Sequence, residues 1–229
     1  MYQNILLDLD DTLLDFGASE TFAFQKVAEN LGVTYHPTLL SEYKQYNQDL
    51  WLQIEKNTLS KADLMDQRFP GFFSRYGLTN LSGRDIDDQF RAYLADGGHI
   101  IPGARQLLID LKATGCKIYA ASNGIYETQI KRLEQAGLID YFDDLFISEK
   151  IGYNKPHIGF FDFAFQAIGS QAKQSSLMVG DSLTSDIKGA NVANIPAVWF
   201  NPKGLIAPDE LTINYEISSL DQLYPIIDL

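Results

Sequence analysis

The sequence predicts an α/β protein with a doubly wound, mostly parallel sheet and an inserted α-helical domain. Residues 5–9 form a short apolar run that ends in acidic residues, as expected of a buried strand. From residue 98 onward, short apolar segments alternate with segments of helical length, which indicates βαβ units and a parallel sheet. Between these regions, residues 16–96 have a helical pattern with few β-branched residues. We therefore expect the helical insertion to separate the first strand from the rest of its sheet.

The helices of the insertion are predicted from apolar residues at helical spacing and from the signals that begin and end helices. The apolar residues of the first two helices are Phe24, Val27, Ala28, Leu31, Tyr43, Tyr46, Leu50, Trp51 and Ile54. Gly32 is expected to end the first helix. Ser60 and Ser82 each precede an aspartate at the spacing of a capping box. Pro70 is expected to break or kink the third helix.

The later part of the chain predicts the remaining strands of the sheet. Strands are expected at residues 116–121, 145–147, 177–179 and 197–200, with helices between them and one more short strand and helix in the tail. We therefore expect a core domain formed by residues 1–15 and 98–229. Residues 16–97 should form an α-helical cap domain placed over one end of the sheet.

Composition limits the class of partner. The chain has 229 residues, of which 45% are hydrophobic and 21% charged, as is typical of a soluble globular protein. Its formal net charge of -12 repels a nucleic-acid polymer or an anionic membrane, but allows a small phosphorylated substrate where cations gather. The single cysteine excludes an internal disulfide, and from the first residues and the lengths of the apolar runs we expect neither a signal peptide nor a membrane-spanning helix. We expect a cytoplasmic protein that is a monomer or a small homo-oligomer.

Polar side chains follow four of the predicted strands, at the edge where a parallel sheet binds its ligands. They are Asp8, Asp10, Asp11 and Thr12 after the first strand, Ser122 and Asn123 after the second, Lys155 after the third, and Asp181 and Asp186 after the fourth. Several carboxylates in one cleft need a cation to offset their repulsion. Because the ligand atoms are oxygens, Mg²⁺ fits best. The lysine is suited to a phosphoryl oxygen, so the set points to phosphoryl chemistry.

These motifs, in this order, resemble those of the haloacid dehalogenase superfamily of phosphatases. Residues 8–12 are similar to the first motif of that superfamily, Ser122 to the second, Lys155 to the third, and Asp181 with Asp186 to the fourth. The resemblance covers both parts of the core, and the insertion resembles the helical cap of the superfamily. It implies a Rossmann-like core and the activity of a phosphoric monoester hydrolase.

The resemblance also implies how the reaction proceeds. Asp8 would attack phosphorus to form an aspartyl-phosphate. Asp10 would protonate the leaving oxygen and then accept a proton from the hydrolytic water. Thr12 would brace the loop that carries both residues. The implied catalytic residues are Asp8, Asp10, Ser122 and Lys155, and the implied phosphate-binding residues are Leu9, Asp10, Ser122, Asn123 and Lys155.

A Mg²⁺ site is implied by the same resemblance. The carboxylates of Asp8 and Asp181 and the backbone carbonyl of Asp10 would bind the ion. Asp186 would act through a bound water or by orienting Lys155. The expected cofactor is therefore Mg²⁺, and the expected partner is a small phosphorylated substrate.

Within the superfamily, the sequence most resembles the house-cleaning pyrimidine 5′-nucleotidases. Residues 10–16, 47–51, 138–143 and 147–152 carry this likeness. The alternatives are a sugar-phosphate phosphatase or phosphomutase of the same fold, a 2-haloacid dehalogenase, and a non-enzymatic receiver or binding module. A dehalogenase has no use for Asp10, because a halide leaves without a proton. A receiver domain has no large insertion after its first strand.

Several residues near these motifs also have a structural interpretation. For Asp11 we favour a role as a carboxylate at the entry to the first helix. Aromatic residues at helical spacing more often form a core than stack on a base, so Tyr43 and Tyr46 are expected to pack within the cap. Phe16, close to the first motif, is the aromatic residue that we expect to touch substrate.

Overall fold

The computed structural model describes residues 2–96 and 98–228. Contacts between residues divide the chain into two compact units. Met1–Phe16 together with Gly98–Leu229 are called the core unit, and Gly17–Gly97 the helical unit. The functional division of the chain into a catalytic core and a cap stays a prediction.

The core unit contains a six-stranded sheet. Its strands are β1 (Asn4–Leu7), β2 (Lys117–Ser122), β3 (Asp144–Ile147), β4 (Ser176–Gly180), β5 (Ala197–Phe200) and β6 (Tyr215–Ile217). Every pair of neighbouring strands is parallel, and their order is β3-β2-β1-β4-β5-β6. The predicted fold class is confirmed, and the bounds of β2 to β5 agree with the predicted ones to within one residue. The strand order reverses between β1 and β4, which is where such sheets bind ligands.

The helical unit is formed mainly by four helices. They are α1 (Phe16–Asn30), α2 (Pro37–Glu55), α3 (Lys61–Phe73) and α4 (Gly83–Asp96). Ser60 begins α3 as predicted, because its hydroxyl accepts a hydrogen bond from the backbone N–H of Asp63 at 3.0 Å. Of the break or kink predicted at Pro70, the break is wrong, since α3 continues through this residue. Phe69 and Phe72, on either side of Pro70, are fully buried, and this packing offsets the cost of a proline in a helix.

Aromatic side chains fill the interior of the helical unit. The rings of Tyr43 and Phe24 stack with their centroids 4.2 Å apart, and Tyr43 is fully buried. The expectation that Tyr43 packs within the helical segment is confirmed. Asn47 is also buried: its Nδ2 donates to Glu20 at 2.7 Å, and its Oδ1 accepts from Arg68 at 3.2 Å. Among the residues that the structure describes, no helix has the length and apolar character needed to cross a membrane.

Gly83, the first residue of α4, packs against the backbone of α3. A Cβ atom at this position would overlap the carbonyl oxygen of Asp66. That carbonyl lies four residues before Pro70, which has no N–H to donate to it. We expect Gly83→Ala to lower the free energy of unfolding by about 2 kcal/mol, because backbone atoms cannot move aside as a flexible side chain can.

Urea unfolding followed by circular dichroism measures the effect of Gly83→Ala. The matched control is Gln89→Ala, at an exposed position of the same helix, which should change the free energy of unfolding by less than about 0.5 kcal/mol. Equal values for the two variants would contradict the close approach of α3 and α4.

Helices cover both faces of the sheet in the core unit. They are α5 (Ala104–Ala113), α6 (Tyr126–Gln135), α7 (Ser148–Ile151), α8 (Ile158–Ile168) and α9 (Lys188–Ala193). Ile5 and Leu7 of β1 share an apolar cluster with residues of α5 and α6, whereas Leu6 shares a second cluster with residues of α8 and α9. This burial on both faces explains why the first strand is an uninterrupted apolar run.

Asp143 joins β2 to the segment that leads into β3. Its carboxylate accepts hydrogen bonds from Lys112 at 3.0 Å, Lys117 at 2.9 Å and the backbone N–H of Ile118 at 2.9 Å. Burial alone would raise the pKa of Asp143, but these three donors outweigh it and lower the pKa to about 2. Since the pKa is lower in the folded state than in the unfolded chain, the ionised carboxylate stabilises the fold.

The stability contributed by Asp143 should depend on pH. It is fully present above the unfolded pKa of 3.8 and is lost as the pH falls through the folded pKa of about 2. We expect Asp143→Asn to lower the free energy of unfolding by about 1 to 2 kcal/mol at neutral pH, allowing for solvent screening of the lysines. The difference from wild type should shrink between pH 4 and pH 2. Asp140→Asn, at an exposed position nearby, is the control, and a deficit that does not vary with pH would reject the assignment.

Candidate active site

The predicted site residues meet where the strand order reverses. Asp8 directly follows β1, Ser122 ends β2, and Asp181 directly follows β4. Because β1 lies between β2 and β4, the carboxyl ends of these three strands are adjacent. Lys155 comes from the loop between α7 and α8 and reaches the same place, since its Nζ lies 2.7 Å from Asp8 Oδ1.

A tight turn holds Asp8 and the residues after it. The backbone N–H of Asp8 donates to Val179 of β4 at 2.9 Å, which continues the ladder of the sheet. The hydroxyl of Thr12 donates to Asp8 Oδ2 at 3.4 Å, as expected of a residue that braces the loop. Asp11 has a left-handed backbone with φ of 56°, and its carboxylate accepts from the N–H of Phe16 at 3.0 Å. The Asp11 carboxylate therefore lies at the entry to α1, as expected.

Lys155 is a buried cation with three acceptors. Its ammonium group donates to Asp8 Oδ1 at 2.7 Å, to Asp186 Oδ1 at 2.6 Å and to the carbonyl oxygen of Ala121. The side-chain amide of Asn123 holds its backbone, accepting from the N–H of Lys155 at 2.7 Å and donating to its carbonyl at 2.8 Å. Because all three ammonium protons have partners, Lys155 acts on its surroundings mainly through its charge.

Asp186 and Asp181 are fixed by their neighbours in different ways. The second oxygen of Asp186 accepts from the backbone N–H of Ser182 at 3.1 Å, so both of its oxygens have partners. A Cβ atom at Gly180 would overlap this carboxylate, which explains the glycine before Asp181. The indole N–H of Trp199 donates to the backbone carbonyl of Asp181 at 2.8 Å. This bond orients the loop that presents the Asp181 carboxylate.

The electrostatics of the site are dominated by burial and by the repulsion between carboxylates. Burial raises the pKa of Asp8 well above its usual range, and the charge of Lys155 only partly opposes this. Burial, together with the charges of Asp186 and Asp11, raises the pKa of Asp181 to about 8. Burial would lower the pKa of Lys155, but Asp186 and Asp8 raise it above its usual value. The lysine is therefore cationic, and the carboxylates lack sufficient positive charge.

The charge balance fits a divalent cation. Asp8, Asp181 and Asp186 offer ligand atoms that all lie within 4.8 Å of one another. When these three carboxylates are ionised and Lys155 is protonated, the four groups carry a net charge of -2. Carboxylate oxygens are the ligands of hard divalent cations, and one such ion would neutralise the cluster.

The two residues that hold the Asp10 carboxylate were not predicted from the sequence. Gln129 Nε2 donates to Asp10 Oδ2 at 2.7 Å, and the guanidinium of Arg132 pairs with Asp10 Oδ1. The guanidinium also lies over the ring of Phe16, 5.5 Å from its centroid. Both residues lie on α6 and are buried despite their polar side chains. They are three residues apart and so lie on one face of the helix. This spacing could have indicated a shared contact, but it matches no motif.

The fold is of the doubly wound α/β class, with an acidic cluster where the strand order reverses. The sequence profile of the haloacid dehalogenase-like hydrolases matches residues 2–194. The chain belongs to this family. The predicted resemblance to the superfamily and the predicted enzyme class, a phosphoric monoester hydrolase, are confirmed.

Relatives with curated functions match almost the whole chain. The pyrimidine 5′-nucleotidase PynA of Streptococcus pneumoniae is 37% identical over 99% of this chain and 95% of its own length. The pyrimidine 5′-nucleotidase YjjG of Escherichia coli is 31% identical over 96% of this chain and 95% of its own length. The crystal structure of YfnB from Bacillus subtilis, which contains magnesium, is similar with a TM-score of 0.92 and 33% identity, and the match covers 100% of this chain and 99% of that one.

Proposed function

We propose that the protein is a Mg²⁺-dependent phosphomonoesterase that forms an aspartyl-phosphate on Asp8 and acts on pyrimidine nucleoside 5′-monophosphates. The observation that carries this proposal is the environment of Asp8. It is a buried carboxylate at the end of the central strand, held by Lys155 and Thr12 beside Asp181. A carboxylate held at both oxygens meets a phosphoryl group in one orientation, as attack on phosphorus requires.

The reaction has two half-reactions. In the first, an oxygen of Asp8 forms a bond to phosphorus while the bond between phosphorus and the leaving oxygen breaks. Asp10 gives its proton to that oxygen, and the alcohol leaves. In the second, water attacks the phosphorus of the aspartyl-phosphate and loses a proton to Asp10. Inorganic phosphate and the free Asp8 carboxylate are released, and Asp10 is protonated again.

Three groups hold the phosphoryl oxygens. The Ser122 hydroxyl and the backbone N–H of Asn123 donate hydrogen bonds to them, and the charge of Lys155 attracts them. Lys155 is 1% exposed, so its charge is poorly screened by water.

The carboxylates of Asp8 and Asp181 and the backbone carbonyl of Asp10 would hold Mg²⁺. The bound ion would supply positive charge that reduces the repulsion between the phosphoryl oxygens and the attacking carboxylate. Asp186 has a different role, because its oxygens accept from Lys155 and from the backbone N–H of Ser182. It orients the lysine. The magnesium in the structure of YfnB supports this choice of ion.

The substrate class is supported by two relatives. PynA and YjjG are pyrimidine 5′-nucleotidases at 37% and 31% identity, and each match spans nearly the whole chain. The contacts of Asp10 support a phosphatase over a dehalogenase. Its carboxylate is held by Gln129 and Arg132, and dehalogenation needs no proton donor at this place.

The test is phosphate release from a panel of nucleoside monophosphates and sugar phosphates, with Mg²⁺ and with a chelator. We expect Mg²⁺-dependent release concentrated on the pyrimidine monophosphates. Release from sugar phosphates alone would support the proposed phosphomonoesterase reaction but contradict the proposal that the substrates are nucleotides. Metal-independent turnover of a 2-haloacid, without release of phosphate from any compound, would reject the phosphomonoesterase.

A further inference from the structure

Gln129 contacts two residues of the proposed reaction at once. Its Nε2 donates to Asp10 Oδ2 at 2.7 Å and to Ser122 Oγ at 2.8 Å, and its Oε1 accepts from Arg132 Nη1 at 3.0 Å. Gln129, Ser122 and Arg132 are 2%, 1% and 4% exposed. One buried amide therefore joins the carboxylate that transfers the proton to the hydroxyl that binds phosphate.

The neighbours of Gln129 fix the direction of its amide. A guanidinium only donates hydrogen bonds, so the amide oxygen of Gln129 must face Arg132 and its NH₂ group must face Asp10. With Asp10 on one side and Arg132 on the other, only one of the two amide orientations satisfies both partners. Arg132 also pairs directly with Asp10, so it holds the carboxylate and the amide together.

The Gln129 amide also determines whether the Ser122 hydroxyl can donate or accept a further hydrogen bond. A hydroxyl has one proton to donate and two acceptor sites. The backbone N–H of Gly124 donates to Ser122 Oγ at 3.0 Å, and Gln129 donates to it at 2.8 Å. Both acceptor sites are therefore in use, and the hydroxyl can only donate to a further ligand. A phosphoryl oxygen is an acceptor of the matching kind.

Two further observations favour a functional arrangement. A Cβ atom at Gly124 would lie 2.7 Å from Gln129 Nε2, so the glycine leaves the space that the amide occupies. Arg132 Nη2 is buried without a hydrogen-bond partner among the described residues. A buried donor without a partner destabilises the folded state, so its presence is not explained by folding alone.

We propose that Gln129 is a positioning residue, which orients the Asp10 carboxylate and makes the Ser122 hydroxyl a donor to the phosphoryl group. Arg132 fixes the direction of the Gln129 amide. This inference rests on the proposed phosphomonoesterase function.

The test compares kcat/KM for uridine 5′-monophosphate and p-nitrophenyl phosphate, with Mg²⁺, in Gln129→Met. Because both substrates use Ser122, kcat/KM should fall roughly tenfold for both. This is the effect of one hydrogen bond to a charged group. The p-nitrophenolate ion leaves without a proton, whereas the nucleoside alkoxide needs Asp10. For the nucleotide, kcat/KM should therefore fall by at least about a further tenfold. Gln135→Met, at an exposed position of the same helix, should leave both values unchanged.

Gly124→Ala tests the same idea without removing the amide. The new methyl group displaces the end of the Gln129 side chain, so the ratio of the two kcat/KM values should shift in the same direction as in Gln129→Met. Arg132→Met should also shift it, because the amide is then free to turn. Thermal unfolding of each variant shows whether the protein stays folded.

The outcomes separate the two proposals. Equal losses on both substrates would mean that Gln129 does not orient Asp10, and losses that follow only the folded fraction would mean that Gln129 merely packs. Either result would overturn the inference alone. An Asp8→Asn variant that keeps its activity, or a wild type that hydrolyses neither substrate, would overturn the proposed function and this inference with it. A shifted ratio in Gln129→Met and Gly124→Ala, but not in Gln135→Met, supports the inference.

Discussion

Replacing Asp8 with asparagine should reduce phosphate release by at least about four orders of magnitude while the protein stays folded. The amide has the shape of the carboxylate, and its oxygen can still accept from Lys155, but it is too weak a nucleophile to form a bond to phosphorus. Stability should not fall. Asp8 is buried with a raised pKa, so the neutral amide removes a charge that the fold accommodates at a cost.

Phosphate release and thermal unfolding of wild type and Asp8→Asn are the measurements. A variant that keeps its activity would reject Asp8 as the nucleophile. A single turnover in heavy-oxygen water then identifies the atom that water attacks. Attack on phosphorus places the label in the released phosphate, whereas hydrolysis of a carbon ester, as in a dehalogenase, places it in Asp8. Label in Asp8 would contradict the proposed reaction.

Replacing Lys155 with methionine should remove both activity and stability, in contrast to Asp8→Asn. Lys155 is the buried cation that donates to Asp8 and Asp186. Without it, these carboxylates and Asp181 lose the buried cation that contacts two of them. We expect the free energy of unfolding to fall by about 3 to 5 kcal/mol, the usual cost of removing one partner of a buried ion pair. Turnover should be lost because the charge on the phosphoryl oxygens is no longer balanced.

A double-mutant cycle tests the cause of this loss. Combining Lys155→Met with Asp186→Asn removes one of the uncompensated charges, so the double variant should be less destabilised than the sum of the single variants. Lys188→Met, at an exposed position, is the control and should have little effect. Strict additivity would mean that the lysine stabilises the fold by packing and not by charge. Urea unfolding of the four proteins provides the values.

Local patterns in the sequence predicted most of the secondary structure. The strand at Ala197–Phe200 was predicted with its observed bounds, because a short apolar run between turn residues has few other interpretations. Pro70 shows where local rules fail. Propensity predicts a break there, but the burial of Phe69 and Phe72 keeps α3 continuous. The order of the strands is also a property of packing, and no local signal specifies it.

The site could be predicted where a motif lies directly after a strand. Asp8 and Asp181 were found in this way, and the structure brings them together with Asp186. Gln129 and Trp199 were missed. Each lies in the middle of a helix or strand and makes a polar contact with a residue distant in sequence. No pattern in its own segment predicts that contact.

The sequence by itself determined the α/β class, the helical insertion and the residues that end each strand, because burial periodicity and strand ends are encoded locally. Only the tertiary structure decided which of these residues touch. Lys155 and Asp8 are separated by 147 positions, and Gln129 and Asp10 by 119. Contacts across such distances depend on strand order and on how helices pack against the sheet. The direction of a buried amide, and with it the donor role of a hydroxyl, is fixed only when all of its partners are in place.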